Sequence, residues 1–539
     1  MEQIYYNGTI VTMKGRSAQE EIESAPEAVW VKDGLIAGTG KRDDLLKMAG
    51  RNVCMVNLEG HCLMPSFIDA HSHILMNGQM SMFADLSQCS SFDEIIRTLE
   101  AYMESHCLKE ENVLVGYGYD HNFLKEKSHP DKRVLDQVSD KIPIFILHVS
   151  AHLACANSAA LRLAGMNEST PDPEGGMVGR IGEGREPSGY VEETAMSLIQ
   201  KAVMSRVQVD IAQMVLTMQE AYIANGVTTV QEGAASARDM QMLMNISESG
   251  SLKVDIVSYL LMTAEGSKFM KRYGEQYGSY RKHLRIGGYK LILDGSPQGR
   301  TAWMTKPYEG EDKDYCGYPW MEDAEVQNCV ESAAKEHRQI MAHCNGDAAS
   351  EQFIQACEKC FGTNDIGKKI RPVMIHCQTV SDEQLDRMGH LNMIASFFAG
   401  HVWYWGDIHL KNFGKKRGNH ISPAKSALDK GVVVTFHQDT PVTKPDMLHT
   451  VWCAVNRISR GGAVIGRDQA IDVYEALRAV TINAAFQYFE EHSKGSIAKG
   501  KRADLVILDR SPLETDKLLI KDISVLETIK DGETIYRKQ

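Results

Sequence analysis

Apolar or β-branched runs alternate with amphipathic segments through the centre of this 539-residue chain, and that alternation limits the fold more than any other feature. Ten runs read as strands: Phe67 to His71, Val113 to Gly116, Ile142 to Val149, Val227 to Gln231, Val254 to Leu261, Tyr289 to Leu293, Ile340 to His343, Val373 to His376, Met393 to Phe397 and Val432 to Phe436. Ile211 to Ala224 is one of the helical patterns between them, closed by Asn225-Gly226 as a C-terminal stop. Strands separated by helices pair in parallel, and a closed (β/α)8 barrel requires eight of them. The two surplus runs, at Val113 and Ile142, share a region with the Gly/Pro-rich stretch Thr170 to Gly189, which reads as loop. The economical arrangement is an α/β fold with a TIM-like (β/α)8 barrel from residues 65–75 and 207–487. Residues 76–206 are then an inserted α+β segment, or lid.

Both ends of the chain are β-like. Asn7-Gly8, Asp33-Gly34 and Asp531-Gly532 lie between strand-forming runs, a pattern that signals hairpins. Neither terminal piece is large enough to hold a sheet alone. Residues 1–64 and 488–539 are therefore expected to pair into one small discontinuous β-sandwich.

The net charge of −12 is spread without a long acidic run, which argues against nucleic acid or an anionic membrane as the main partner. No stretch of about 18 apolar residues is present to span a bilayer. The first residues lack a basic region followed by an apolar core, so no secretory signal is expected. Twelve scattered cysteines fit a reducing, cytoplasmic setting better than a disulfide framework. The pair Cys357 and Cys360 has no second pair to complete a zinc knuckle.

The chemistry gathers where the strands end. His71 and His73 flank Ser72, and alternation along an extended chain would turn both imidazoles to one side. Lys290 lies on the fourth barrel strand, His343 and His376 end the fifth and sixth, and Asp439 follows the eighth. Each has an ordinary structural use when taken alone, in a hydrogen-bonded core, an ion pair or a turn. Together they ring the C-terminal opening, where barrels of this type carry their active sites.

These residues bring the chain to a known group. It resembles the amidohydrolase superfamily of metal-dependent hydrolases, and within it the branch containing N-substituted formamide deformylase. The resemblance runs through Pro65-Ser66-Phe67-Ile68-Asp69-Ala70-His71-Ser72-His73, Lys290 with Asp294-Gly295-Ser296, His343 with Gly346-Asp347, His376, Asp439-Thr440-Pro441-Val442 and Gly500-Lys501-Arg502-Ala503-Asp504-Leu505. It also covers Asn157-Ser158-Ala159-Ala160-Leu161 in the insertion. It implies that His71, His73 and Asp439 hold one metal, that His343 and His376 hold a second, and that a carbamylated Lys290 bridges them. Zinc suits a nitrogen-rich site, with iron, manganese and nickel also compatible. The implied reaction is hydrolysis of the C–N bond of a small N-substituted amide, an N-acyl or N-formyl amine, by a metal-activated hydroxide, with Asp439 as general base and then acid. A homodimer is implied at the same level.

The sequence departs from the family pattern in places. Ser66 stands where glycine is usual, Ile375 where a glutamate commonly precedes the sixth-strand histidine, and His437-Gln438 where Gly-Ser often precede the aspartate. His437 is a candidate substrate contact. So are Trp403 and Tyr404, on the loop expected after the seventh strand, Arg300 after the fourth, and Tyr119 and His152 in the insertion. Cys344 and Cys377 should turn away from the metals into the core. Two alternatives stand beside this reading: a mononuclear deaminase or other hydrolase on the same scaffold, and a non-catalytic scaffold relative.

Overall fold

The computed structural model describes residues 1–539 except 1, 50–51, 122, 150–152, 174–175, 208–210, 311–313 and 363–364. The chain divides into two compact units, Met1–Leu75 with Gln219–Gln539, and Met76–Met218.

The first unit is built on a curled, all-parallel sheet of the TIM-barrel type. Its strands, in both chain and spatial order, are β1 (Phe67–Ile68), β2 (Val227–Ala235), β3 (Asp255–Leu261), β4 (Leu284–Ile292), β5 (Ile340–Cys344), β6 (Val373–His376), β7 (Ile394–Phe397) and β8 (Val433–Phe436). The two edges of the sheet meet just beyond β1 and β8. There Asp439 N donates to His71 O at 3.2 Å and His73 N donates to Thr440 O at 2.7 Å. Ile68, Val257, Tyr259, Met341, Val373, Ile375 and Ile394 pack together as a buried core. A packed interior of this kind confines chemistry to the strand ends.

Three barrel strands differ from the sequence reading. β2 runs past Gln231 to Ala235. β1 stops at Ile68: Asp69 N makes the last ladder bond, to Thr229 O, and the chain then turns, with His71 N donating to the Asp69 carboxylate. β4 begins at Leu284, five residues before Tyr289. Gly287 and Gly288 hide that start from any propensity argument. Both are needed for packing: a Cβ at Gly288 would lie 2.2 Å from Gln339 O.

Strands from the two ends of the chain share a five-stranded sheet ordered Thr9–Ile10, Cys62–Pro65, Leu505–Leu508, Val525–Lys530, Glu533–Arg537. A four-stranded sheet ordered Leu35–Gly40, Ala28–Lys32, Glu2–Tyr6, Cys54–Asn57 completes the terminal region. Tyr5, Val29 and Ile36 of one sheet and Leu63, Leu505, Ile507 and Ile529 of the other occupy one apolar cluster. Asp33-Gly34 and Asp531-Gly532 turn antiparallel hairpins. Asn7-Gly8 does not. It passes the chain from one sheet to the other, since Tyr6 pairs with Ala28 and Asn57 while Thr9 N donates to His61 O.

The second unit carries a six-stranded mixed sheet ordered Gly176–Arg180, Pro187–Glu193, Leu153–Ala156, Ile144–His148, Leu114–Tyr119, Ala84–Asp85. The stretch read as loop from Thr170 to Gly189 thus contains an antiparallel pair, whose glycines and prolines mask its strand character. Among the described residues no helix is long and apolar enough to cross a membrane.

Candidate metal centre

Asp439 is the centre of the strand-end cluster. Its Oδ1 lies 3.5 Å from His71 Nε2 and 3.4 Å from His73 Nε2, and its Oδ2 lies 3.9 Å from His376 Nε2. Lys290 Nζ is 3.2 Å from His71 Nε2, and the His343 ring packs edge-on to His376 with centroids 4.4 Å apart. Asp439 and His376 hold left-handed backbone, φ 53° and 75°. Such residues cost about 1–3 kcal/mol each and persist where surrounding structure fixes them. The turn at each strand end is what aims these side chains at a common point.

The convergence of His71 and His73 expected from strand alternation is present, with ring centroids 5.1 Å apart, although β1 has ended before them. The seam bonds to Thr440 and from Asp439 fix their backbone instead.

Each histidine is oriented from behind. His71 Nδ1 faces Gln231 Oε1 at 2.5 Å, and the Gln231 amide is in turn held by Ala70 O and the Tyr488 hydroxyl. With Nδ1 donating, His71 Nε2 turns its lone pair toward Lys290 and Asp439. His73 Nδ1 lies 3.5 Å from Glu232 Oε1. His343 Nδ1 faces Asp294 Oδ1 at 3.0 Å, and Asp294 accepts further bonds from the backbone N–H groups of Asn345, Gly346 and Trp303. His376 Nδ1 faces His437 Nε2 at 3.2 Å, and His437 Nδ1 faces Ser396 Oγ at 3.0 Å. Ile375 sits in the barrel core, so the partner that a preceding glutamate would offer comes from His437. Gln231, Glu232 and Ser396 belong to no motif read from the sequence because each works through another side chain, whereas Asp294 stands in the Asp294-Gly295-Ser296 stretch quoted above. The alternation of β2 past Gln231 was the signal available for the first two.

The electrostatics suit a cation. Burial works against ionisation of Asp439, but His73, 3.4 Å away, with His71 and His376 beside it, outweighs it and holds the carboxyl well below its usual range. Burial, with Lys290 nearby, holds His71 well below the ordinary histidine value, and burial with His343 does the same for His376. Burial lowers His73, yet Asp439 and Glu232 overcome it and raise the ring to about 9. Burial brings Lys290 down to about 8. Asp439 Oδ1 is buried and takes part in no well-aligned hydrogen bond. A buried carboxylate oxygen with no well-aligned donor, 3.5 Å from His71 Nε2 and 3.4 Å from His73 Nε2, fits a divalent metal. Ligand atoms of His71, His376 and Asp439 all lie within 4.8 Å of one another.

His437 is wholly buried between His376 and Ser396, with its ring 5.5 Å from that of Phe398. Trp403 and Tyr404 lie in the first turn of the helix His401–Gly418, not on a loop, because Gly400 starts that helix directly after β7. Trp403 packs on Trp452 and Tyr404 on His449, whereas Phe398 contacts His376. Arg300 donates to Asn412 Oδ1 and to the Glu309 carbonyl. Tyr119 belongs to the second unit, where its buried hydroxyl meets His129 and Cys155. His152 lies outside the described residues. Ser66 is buried with its hydroxyl 2.6 Å from that of Thr228, and Cys344 and Cys377 are fully buried.

Comparison with known proteins agrees with this geometry. The chain is 26% identical over 537 residues to N-substituted formamide deformylase of Arthrobacter pascens, covering 96% of each. It is 27% identical over 545 residues to the protein LONG AFTER FAR-RED 3 of Arabidopsis thaliana, covering 98% of this chain and 91% of that one. Its fold matches the crystal structure of an uncharacterized metal-dependent hydrolase from Pyrococcus horikoshii OT3 with a TM-score of 0.76 at 24% identity, over 96% of this chain and 99% of that one. The family profile described as the amidohydrolase family matches residues 55–536, so this chain belongs to the amidohydrolase family and is a hydrolase acting on C–N bonds.

Proposed function

We propose that the chain cleaves the C–N bond of a small N-substituted amide, an N-acyl or N-formyl amine, at the Asp439 cluster. The observation that carries this reading is the buried Oδ1 of Asp439, without a well-aligned hydrogen bond, between His71 and His73. The likeness to N-substituted formamide deformylase supports the substrate class. His71, His73, His343, His376 and Asp439 would hold zinc, two ions per chain, with Lys290 as a carbamate between them. A divalent metal supplies an acidified water and a polarised carbonyl.

The chain's own residues do the rest. Asp439 accepts a proton from the attacking water and returns it to the departing nitrogen. Gln231, Asp294 and His437 fix the imidazoles so that no reorientation is needed during reaction. Lys290 would reach a carbamate by losing its ammonium proton, forming an N–C bond to carbon dioxide as one C=O π bond opens onto oxygen, and releasing a second proton from nitrogen to solvent. Burial favours that step by stabilising the neutral amine, with the pKa brought down to about 8. We also read the two terminal sheets as one discontinuous β-sandwich and residues 76–206 as the inserted segment.

One observation favours a one-ion reading. Both nitrogens of His343 are engaged, Nδ1 by Asp294 and Nε2 by the Asn345 amide at 3.3 Å. Metal content per chain separates the two arrangements. The function itself is tested with zinc-loaded protein on a panel of N-formyl and N-acyl amines, reading amine release. Turnover that Asp439→Asn abolishes supports the reading. No release from any member by fully metal-loaded protein would refute it.

A further inference from the structure

The second unit holds another convergence of metal-ligating side chains, outside the barrel cluster. Leu114–Tyr119 and Ile144–His148 pair in parallel, with Tyr119 opposite His148 and a register shift at Leu147/His148. Parallel pairing sets C-terminal ends side by side. Asp120 and His121, which follow the first strand, therefore lie beside His148, which ends the second.

Their polar atoms face one another. His121 Nδ1 is 3.2 Å from His148 Nε2, Asp120 Oδ1 is 3.6 Å from His148 Nε2, and Asp120 Oδ1 is 3.9 Å from His121 Nδ1. A circle through three atoms with these separations has a radius of about 2.1 Å, which falls within the usual range for zinc bonded to imidazole nitrogen and carboxylate oxygen. An N–H···N hydrogen bond between the two rings would account for the shortest separation alone. It does not account for the carboxylate oxygen near both nitrogens.

The surroundings favour ligation. The His129 ring lies against that of His121 with centroids 4.1 Å apart, and His129 Nδ1 is held by the Tyr119 hydroxyl at 3.0 Å. The side chains of Asp120 and His121 are 22% and 28% exposed, against 7% for His148, so the cluster is open on one side.

We propose that Asp120, His121 and His148 bind a borderline transition-metal dication, zinc or a near neighbour, leaving a fourth position open to solvent. Two nitrogens and one oxygen suit such an ion, whereas calcium and magnesium require oxygen ligands throughout. The site shares no residue with the barrel cluster and does not depend on the reaction proposed there.

The test uses the full chain with the barrel cluster disabled by His71→Ala, His73→Ala, His343→Ala and His376→Ala, stripped with chelator and titrated with Co(II). The expected result is one Co(II) per chain with a visible ligand-field band. Adding His121→Gln removes the band, and adding Asp120→Asn instead weakens binding at least about tenfold. Circular dichroism verifies folding of each variant. A folded, barrel-disabled chain that binds no Co(II), or one that keeps its ion after His121→Gln, overturns the proposal. If the barrel-disabled chain does not fold, wild type is compared with His121→Gln alone. A drop of one ion per chain supports the site and unchanged stoichiometry overturns it.

Discussion

His437 Nε2 lies 3.2 Å from His376 Nδ1, and Ser396 Oγ holds the far nitrogen of His437 at 3.0 Å. All three side chains are buried. The chain of contacts runs from β7 through the residue after β8 to the end of β6, and it leaves His376 Nε2 facing the Asp439 carboxylate.

Replacing His437 by phenylalanine keeps the ring and removes both contacts. Metal affinity should fall about 10- to 100-fold, the usual effect of losing the partner of a ligating imidazole. Competition against a chelator of known affinity measures this. His437→Asn, which retains a polar atom, should recover part of the loss. Unchanged affinity in folded His437→Phe would show that His376 is oriented without it.

Gly233 lies beneath the His71 ring. A Cβ there would come 2.4 Å from His71 Cε1 and 2.7 Å from Nδ1, on a backbone that is not left-handed. The effect of Gly233→Ala is therefore steric. The ring must leave Gln231, so metal content and activity should drop together, with a stability loss of about 1–3 kcal/mol from overpacking. Metal analysis and a thermal melt on the same sample separate the two effects.

Asp294 accepts bonds from His343 Nδ1 and from the N–H groups of Asn345, Gly346 and Trp303. Asp294→Asn keeps the shape but places an amide NH2 against N–H donors. The penalty for unpaired buried donors is about 1–3 kcal/mol. The expected outcome is a lower unfolding midpoint together with reduced turnover, since His343 loses the carboxylate that sets its tautomer. Wild-type stability would contradict the assigned contacts.

A buried ion network ties β3 to the strand Val525–Lys530. Asp255 Oδ2 lies 2.7 Å from Lys494 Nζ and 2.8 Å from Lys530 Nζ, while Lys494 also meets Glu490 and Lys530 meets Asp504. Burial opposes the charge on Asp255, but the two lysines outweigh it and hold the carboxyl well below 3.8. Burial opposes the charge on Lys494, and Asp255 and Glu490 raise it above 10.5. The Asp255 contribution to stability is thus present above pH 3.8 and is lost as pH falls through the depressed value. The Lys494 contribution is present below pH 10.5 and lost as pH rises through the elevated one. Lys494→Met leaves buried carboxylates short of a partner and should cost about 3–5 kcal/mol near neutral pH. The deficit should shrink at low pH as those carboxylates protonate, which chemical denaturation at a series of pH values tests.

The strands of the barrel were readable because their β-branched runs are buried on both faces and hydrophobic pattern marks such runs plainly. Hidden pieces had specific causes. Gly287 and Gly288 concealed the start of β4, and glycines and prolines concealed the pair Gly176–Arg180 and Pro187–Glu193. Asn7-Gly8 read as a hairpin because turn chemistry is local, whereas which sheet receives each arm depends on pairing with Ala28, Asn57 and His61.

The sequence by itself determined which residue types could serve: His71, His73, Lys290, His343, His376 and Asp439 fall at successive strand ends, and strand order then carries them to one mouth. Only tertiary structure decided their partners. Gln231 on His71, Asp294 on His343 and His437 on His376 join residues from 49 to 160 positions apart in sequence. Only the closed fold makes them neighbours. Orientation of an imidazole is a property of those distant contacts, because rotation about its side-chain bonds costs little until a second hydrogen bond fixes one nitrogen and frees the other.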